Sequence, residues 1–257
     1  MNPAKSLLAL GVLAATLLPA SATPQPSARD LLRKMSDTLA AAQTFRFSAT
    51  REIDGALLGV EDVPLKARID ALVQRPDKFA ATAVSRAGER RFIADGRTLT
   101  LFESRTNFFA VVPMPATIDA LVDRLDTKYG FVPPLAEFAL SNPYEEFRRG
   151  ADTVAWLGRE KIGGSPLFGL GAVECDRIAL KGPDADAELW IGVADHLPRK
   201  LVATFKNLPA KPRLTVRFHR WDLAAKATPA DFAFTPPKGA TKIEMWTVEK
   251  MQSAARR

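Results

Sequence analysis

The stretch VPLKARIDALVQ, residues 63–74, sets Val63, Leu65, Ala67, Ile69, Ala71 and Val73 against Pro64, Lys66, Arg68, Asp70 and Gln74. Neighbouring side chains on a strand point to opposite faces, so this alternation gives one apolar face and one wetted face. That is the pattern of an antiparallel sheet packed on one side. The same period runs through Phe45, Phe47 and Ala49, which alternate with Arg46, Ser48 and Thr50. Beyond residue 74, Arg75-Pro76-Asp77 predicts a turn and Phe79–Val84 a strand. Ala87-Gly88 predicts a tight turn, followed by a strand over Arg90–Ala94. Asp95-Gly96 is a hairpin signal, and Thr98–Phe102 and Asn107–Val112 complete a meander of six strands.

Upstream of the meander the period is helical. Leu31, Leu32, Met35, Leu39 and Ala42 recur at three- and four-residue spacing behind Ser27 or Asp30 as cap. Downstream, Pro113, Pro115, Pro133, Pro134 and Pro143 punctuate three short helical pieces. One carries Ile118, Leu121, Val122 and Leu125, the next Leu135, Phe138 and Ala139, and the last runs Pro143–Arg148 behind Asn142. Such an insertion between two strand runs covers the open face of a sheet. Strand periodicity returns over 154–162, 167–180, 187–193, 197–205 and 213–221. Pro229–Phe234 forms a short closing element and Lys242–Val248 a final edge strand. The fold class expected is mainly β (α+β), with the two strand blocks joined in one curved sheet. The alternation fits a dry core under the helices as well as it fits a ligand cavity.

The N-terminus has the form of an export signal. Lys5 is followed by an apolar run, Leu7–Leu18, of about a dozen residues, where a membrane-spanning helix needs roughly 20. Pro19 ends the run, and Ala20-Ser21-Ala22 places small residues where a signal peptidase reads. The expected organisation is a signal peptide 1–22, a linker 23–27, one domain 28–249 and a basic tail 250–257, with no membrane span in the mature form. No cysteine stands at the cleavage point, so a soluble periplasmic product is expected. The net charge of +7 is interspersed along the chain and gives no nucleic-acid footprint. Cys175, the single cysteine, cannot form an intramolecular disulfide and reads as a buried inert thiol.

Catalytic and metal chemistry find no pattern. His196 and His219 lack metal-ligand spacing, and there is no nucleophile elbow or phosphate loop. Gly163-Gly164-Ser165-Pro166 reads as a turn. Glu61-Asp62 and Glu145-Glu146 are adjacent carboxylates, which diverge on a strand or favour a helix start. No enzyme activity and no cofactor are expected. The positive signal is a one-sided supply of large apolar residues, with Phe45, Phe47, Phe79, Phe92, Phe108 and Phe109 in the first strand block.

Several segments resemble the LolA-like periplasmic lipoprotein carriers and their uncharacterised exported relatives. Val73-Gln74-Arg75-Pro76-Asp77-Lys78-Phe79 resembles the family's "KRP-x-x-F" segment, and Asp95-Gly96-Arg97-Thr98-Leu99 its "DGKTLW" hairpin. Thr106–Val111 fits the strand that follows, and Asp231–Ala240 resembles the C-terminal "FTFTPPxG" signature. Thr100 stands where the carriers have an aromatic, and Pro113–Leu140 is closer to the uncharacterised relatives. The resemblance implies a curved, incomplete antiparallel β-barrel with an N-terminal helix and a short helical lid over an apolar cavity. It also implies that Arg75 gates the lid by hydrogen bonds and that Phe79 lies near the mouth. On the two readings together, Phe47, Phe79, Phe92, Leu101, Phe109 and Leu121 are the candidate cavity wall. A one-residue slip of register would exchange Phe109 for Phe108. The function expected is binding and carriage of a lipid or lipoprotein acyl chain, with inner- or outer-membrane proteins as further partners. The alternative is an envelope sensor or protein-interaction module on the same fold, acting through the lid or an edge strand.

Overall fold

The computed structural model describes residues 25–58, 65–164 and 171–255, so the expected signal peptide, Glu61-Asp62 and Ser165-Pro166 lie outside the described residues. The first strand block comprises β1 (Thr44–Ile53), β2 (Leu65–Gln74), β3 (Lys78–Ser85), β4 (Gly88–Asp95), β5 (Thr98–Glu103) and β6 (Phe108–Pro113). The second comprises β7 (Thr153–Ile162), β8 (Val173–Lys181), β9 (Ala185–Gly192), β10 (Pro198–Phe205) and β11 (Arg213–Asp222). A two-residue β12 (Thr241–Lys242) follows. These join in one sheet of order β12-β6-β5-β4-β3-β2-β1-β11-β10-β9-β8-β7. β1 is the seam, antiparallel to β2 on one side and to β11 on the other. Among the described residues the end strands do not pair, and the sheet is a curved, unclosed half-barrel.

The alternation read from sequence sets the concave face. Phe45, Phe47 and Ala49 of β1 lie opposite Val73, Ala71 and Ile69 of β2, and all six are buried. Bulges between Ser48 and Ala49 and between Trp156 and Gly158 add local twist where the sheet must bend. The hairpin at Asp95-Gly96 forms as expected, with Gly96 at φ +90°, which a side chain would strain.

Among the described residues, α1 (Ala28–Ala41) and the helical pieces between the strand blocks pack on the sheet. α1 starts at Ser27, whose hydroxyl accepts from Asp30 N at 3.3 Å. Its face of Leu31, Leu32, Met35 and Leu39 is buried in the central core. α2 (Ile118–Tyr129) is capped by Thr117 and stops at Gly130 in the left-handed region. A 3-10 turn, Ala136–Phe138, and α3 (Pro143–Arg149) follow, so the three helical pieces expected between the strand blocks are present.

The C-terminus differs from the reading. Only Thr241–Lys242 extends the sheet, and it runs parallel to Phe108 and Phe109 of β6. The segment read as a basic tail over 250–257 begins inside α4 (Val248–Ala255), which lies beside α2. Thr247 caps α4, its hydroxyl accepting from Lys250 N at 3.2 Å. Residues 249–254 of this helix are exposed.

Candidate functional site

α2, the 3-10 turn and α3 lie over the concave face as a lid. The lid is anchored at the end of β2 by one side chain. Arg75 Nη1 donates to Ala139 O at 2.6 Å and Nη2 to Leu140 O at 2.8 Å. Nε donates to Ala42 O at 3.3 Å and Nη2 also to Leu39 O at 3.5 Å, at the C-terminal end of α1. The guanidinium lies 5.5 Å from the Phe45 ring centroid. Burial lowers the Arg75 pKa from its ordinary value, and the negative charge of Asp119 opposes that shift. Within the lid, Asp119 of α2 accepts from Ser141 N at 3.0 Å and Ser141 Oγ at 2.7 Å, bracing α2 to the segment before α3. Ile118 N donates to Pro76 O at 2.8 Å, so the start of α2 is fixed to the same turn. The arginine expected as gate therefore sits where lid, α1 and sheet meet.

The space beneath the lid is almost full. An apolar cavity of about 30 Å³ remains, lined among others by Phe47, Val73, Phe79, Leu121, Leu125 and Leu135. That is room for about one water and no acyl chain. Of the two possibilities left open by the alternation, the structure has the packed core. What fills it is Phe138 of the lid, fully buried, 4.9 Å from Phe218 and 5.5 Å from Phe147 between ring centroids. Trp221 extends this cluster onto Phe47 at 4.9 Å. Phe218 and Trp221 were not singled out from sequence; they stand three apart, and a bulge at His219 brings them to the same face.

The candidate wall residues divide into three groups. Phe47, Phe79 and Leu121 meet around the residual cavity. Phe92 and Leu101 are cross-strand partners on the same concave face, partly exposed and outside the cavity lining. Phe109 is a correction, because it lies on the convex face. It pairs with Phe102 across β5 and β6, and both rings pack on Phe234, at 5.5 and 5.7 Å. The concave position of this doublet belongs to Phe108, at the exposed end of β6.

Two carbon-rich environments shift acids. Glu137, in the lid turn, faces a groove it shares with Asp123, Asp126, Glu146 and Arg149, and its carboxyl is pushed up to about 7 by burial and then by Glu146. Cys175 is fully buried and its thiol is pushed up to about 11, chiefly by burial. His219 Nε2 lies 2.6 Å from Thr50 Oγ1 on the convex face, away from both. Among the described residues no group of three or more His, Cys, Asp or Glu is placed to hold a metal, and no helix is long and apolar enough to cross a membrane.

A family model described as "Predicted periplasmic protein (DUF2092)" matches residues 28–246. Among solved structures the chain is similar to an uncharacterized conserved protein from Thermus thermophilus, at 13% identity and TM-score 0.48, covering 85% of this chain and 99% of that one. It is similar to a LolA superfamily protein from Nitrosomonas europaea at 13% identity and TM-score 0.38, covering 82% and 99%. It is also similar to a chain of the MucA/MucB complex from Pseudomonas aeruginosa at 13% identity and TM-score 0.43, covering 81% of this chain and 61% of that one. No curated protein matches.

Proposed function

The chain belongs to the DUF2092 family of periplasmic proteins, and from that premise we propose that it binds a lipid or acyl chain and carries it through the periplasm. The observation that carries the reading is the lid itself. An apolar face of Phe47, Val73 and Phe79 is covered by a lid tied to the sheet end by one arginine side chain, while Asp119 braces the lid internally through Ser141. Polar ties of this kind exchange more readily than a continuous hydrophobic seam. Opening the lid exposes an apolar trough, and burying an acyl chain there gives about 0.8 kcal/mol per methylene. Cargo enters on this reading by displacing Phe138 and Leu121, with Arg75 setting the closed state.

Binding rather than catalysis is supported by where the reactive groups stand. Cys175 is buried with its thiol pushed up to about 11, and His219 is held to Thr50 on the opposite face. The second reading, a protein-interaction module, has one observation in its favour. β7 is an end strand with Leu157 47% exposed, an edge to which a partner strand could add.

The test is native mass spectrometry of the mature protein purified from its own periplasm, followed by organic extraction. Extra mass that extracts as lipid is the expected result. A clean unliganded mass, with no uptake of added palmitate, would reject carriage and favour the edge-strand reading.

A further inference from the structure

We propose that the uncovered half of the concave face is a head-group site for an anionic amphiphile, with Arg51 and Arg90 receiving its charge. This inference rests on the lipid-binding reading and adds the chemistry of the head. Beyond the lid, a groove of about 330 Å³ opens between the far ends of β1 to β4, lined among others by Arg51, Ile53, Leu65, Ala67, Ala83 and Arg90. Both arginines point into the trough by strand phase. Arg51 follows Phe47 and Ala49 at two-residue steps and lies opposite Ala67. Arg90 precedes Phe92 by two and lies opposite Ala83. Charged residues on the apolar face of a sheet are costly unless something meets them.

Arg90 is exposed to water and stands opposite Glu103 of β5, so that cost falls on the half-buried Arg51. Neither arginine has an ion-pair partner among the described residues, and Arg51 Nε is buried with no hydrogen-bond partner. Burial, and then the like charge of Arg90, lowers the Arg51 pKa. The other charges at the groove are engaged or peripheral. Glu103 turns its carboxylate to Arg105 N, Thr106 N and Thr106 Oγ1. Lys66 pairs with Glu52 at 3.2 Å, and Arg86 is exposed at the rim.

The apolar walls favour an amphiphile over a free anion. From Ala83 the concave face of β3 runs through Ala81 to Phe79, which line the space under the lid. That track is about 13 Å long at the usual rise per residue and is floored by small side chains. A head held at Arg51 and Arg90 would direct its chain along this track beneath the lid. A guanidinium suits phosphate or carboxylate oxygens, which accept two parallel bonds from it.

The experiment measures binding of hexadecyl phosphate, palmitate, hexadecanol and inorganic phosphate to the mature chain by competition with a fluorescent fatty acid and by calorimetry. The two anionic amphiphiles should bind about 10- to 100-fold tighter than hexadecanol. In Arg51→Gln/Arg90→Gln that ratio should fall to about threefold or less, and the single Arg90→Gln change, at an exposed position, should lower it part-way if the double variant does not fold. Equal binding of hexadecanol and the anionic amphiphiles to the wild type would overturn the head-group site and leave carriage standing. Inorganic phosphate as tight as hexadecyl phosphate would also overturn it, in favour of a plain anion site. Binding of no probe would overturn both readings.

Discussion

Replacing Arg75 by Gln should loosen the lid while leaving the sheet intact. Of the four carbonyls that accept from Arg75, Ala139 O and Leu140 O belong to the lid and lie at 2.6 and 2.8 Å. Hydrogen bonds involving a charged donor contribute about 1.5–3 kcal/mol each, so the two give about 3–6 kcal/mol gross. Burying the guanidinium has a cost, which is why its pKa is lowered, and the net falls to about 2–4 kcal/mol. At about 1.36 kcal/mol per factor of ten, the open population should rise roughly 30- to 1000-fold. Hydrogen exchange reads this directly. The lid amides of Phe138 and Ala139 donate to Leu135 O at 3.2 Å and Ala136 O at 2.8 Å and report opening. The amides of β1 and β2 serve as internal controls, since the Arg75 backbone bond to Gln43 O at 2.8 Å is retained. Lid amides within about threefold of wild type would refute the gate. Equal acceleration in β1 and β2 would refute it differently, by showing that Arg75 supports the sheet.

Glu137 gives the lid a pH dependence. Its folded pKa of about 7 stands above the ordinary 4.5, so the folded state holds the proton more tightly. Stability should therefore be greatest below about pH 4.5 and fall as pH rises toward 7. The full equivalent is about 3 kcal/mol, and because the residue keeps part of its surface exposed a loss of about 1–2 kcal/mol is expected. Urea midpoints at about pH 5 and about pH 7.5 should differ in the wild type and coincide in Glu137→Gln at the stable end; a Gln variant that keeps the wild-type slope would assign the titration elsewhere. Phe138→Ala should cost about 3–5 kcal/mol, because the ring fills the space between Phe218 and Phe147 and its removal leaves a cavity. A loss below about 1.5 kcal/mol would mean the lid is already open in solution.

The strands were legible because β1 alternates between a packed face and a wetted one, and β2 does so except at Leu72. The convex-face burial of Leu72, and the outward turn of Phe109, were not legible for a shared reason. Both positions depend on what covers the convex side, and for Phe109 that cover is Phe234, about 125 residues away along the chain. The doublet Phe108-Phe109 satisfies either phase, so local pattern alone could not choose. The filled core was equally hidden, since alternation is the same whether a sheet faces a ligand or Phe138. The two arginines of the open groove did carry a signal. Counting in twos from Phe45 through Phe47 and Ala49 reaches Arg51, and counting back from Ala94 through Phe92 reaches Arg90. A charge in phase with the apolar face is the mark that a longer count would have found.

A packed core and a carrier are compatible once the exchange of contacts is considered. A chain of about a dozen methylenes gains about 10 kcal/mol on burial, at about 0.8 kcal/mol each. To admit it, Phe138, Leu121, Leu125 and Leu135 must give up the same concave surface. Each such side chain loses about 1.5–3 kcal/mol on exposure, so the apolar terms nearly cancel. The balance then falls to the polar terms, which are Arg75 holding the lid closed, and Arg51 and Arg90 waiting for a charge at the far mouth. On this reasoning the empty protein stays closed and stable by filling its own site. Cargo is distinguished less by the length of its chain than by whether its head can offset the lid bonds it breaks. A long uncharged chain and a shorter anionic one should therefore bind in the reverse of the order that chain length alone predicts.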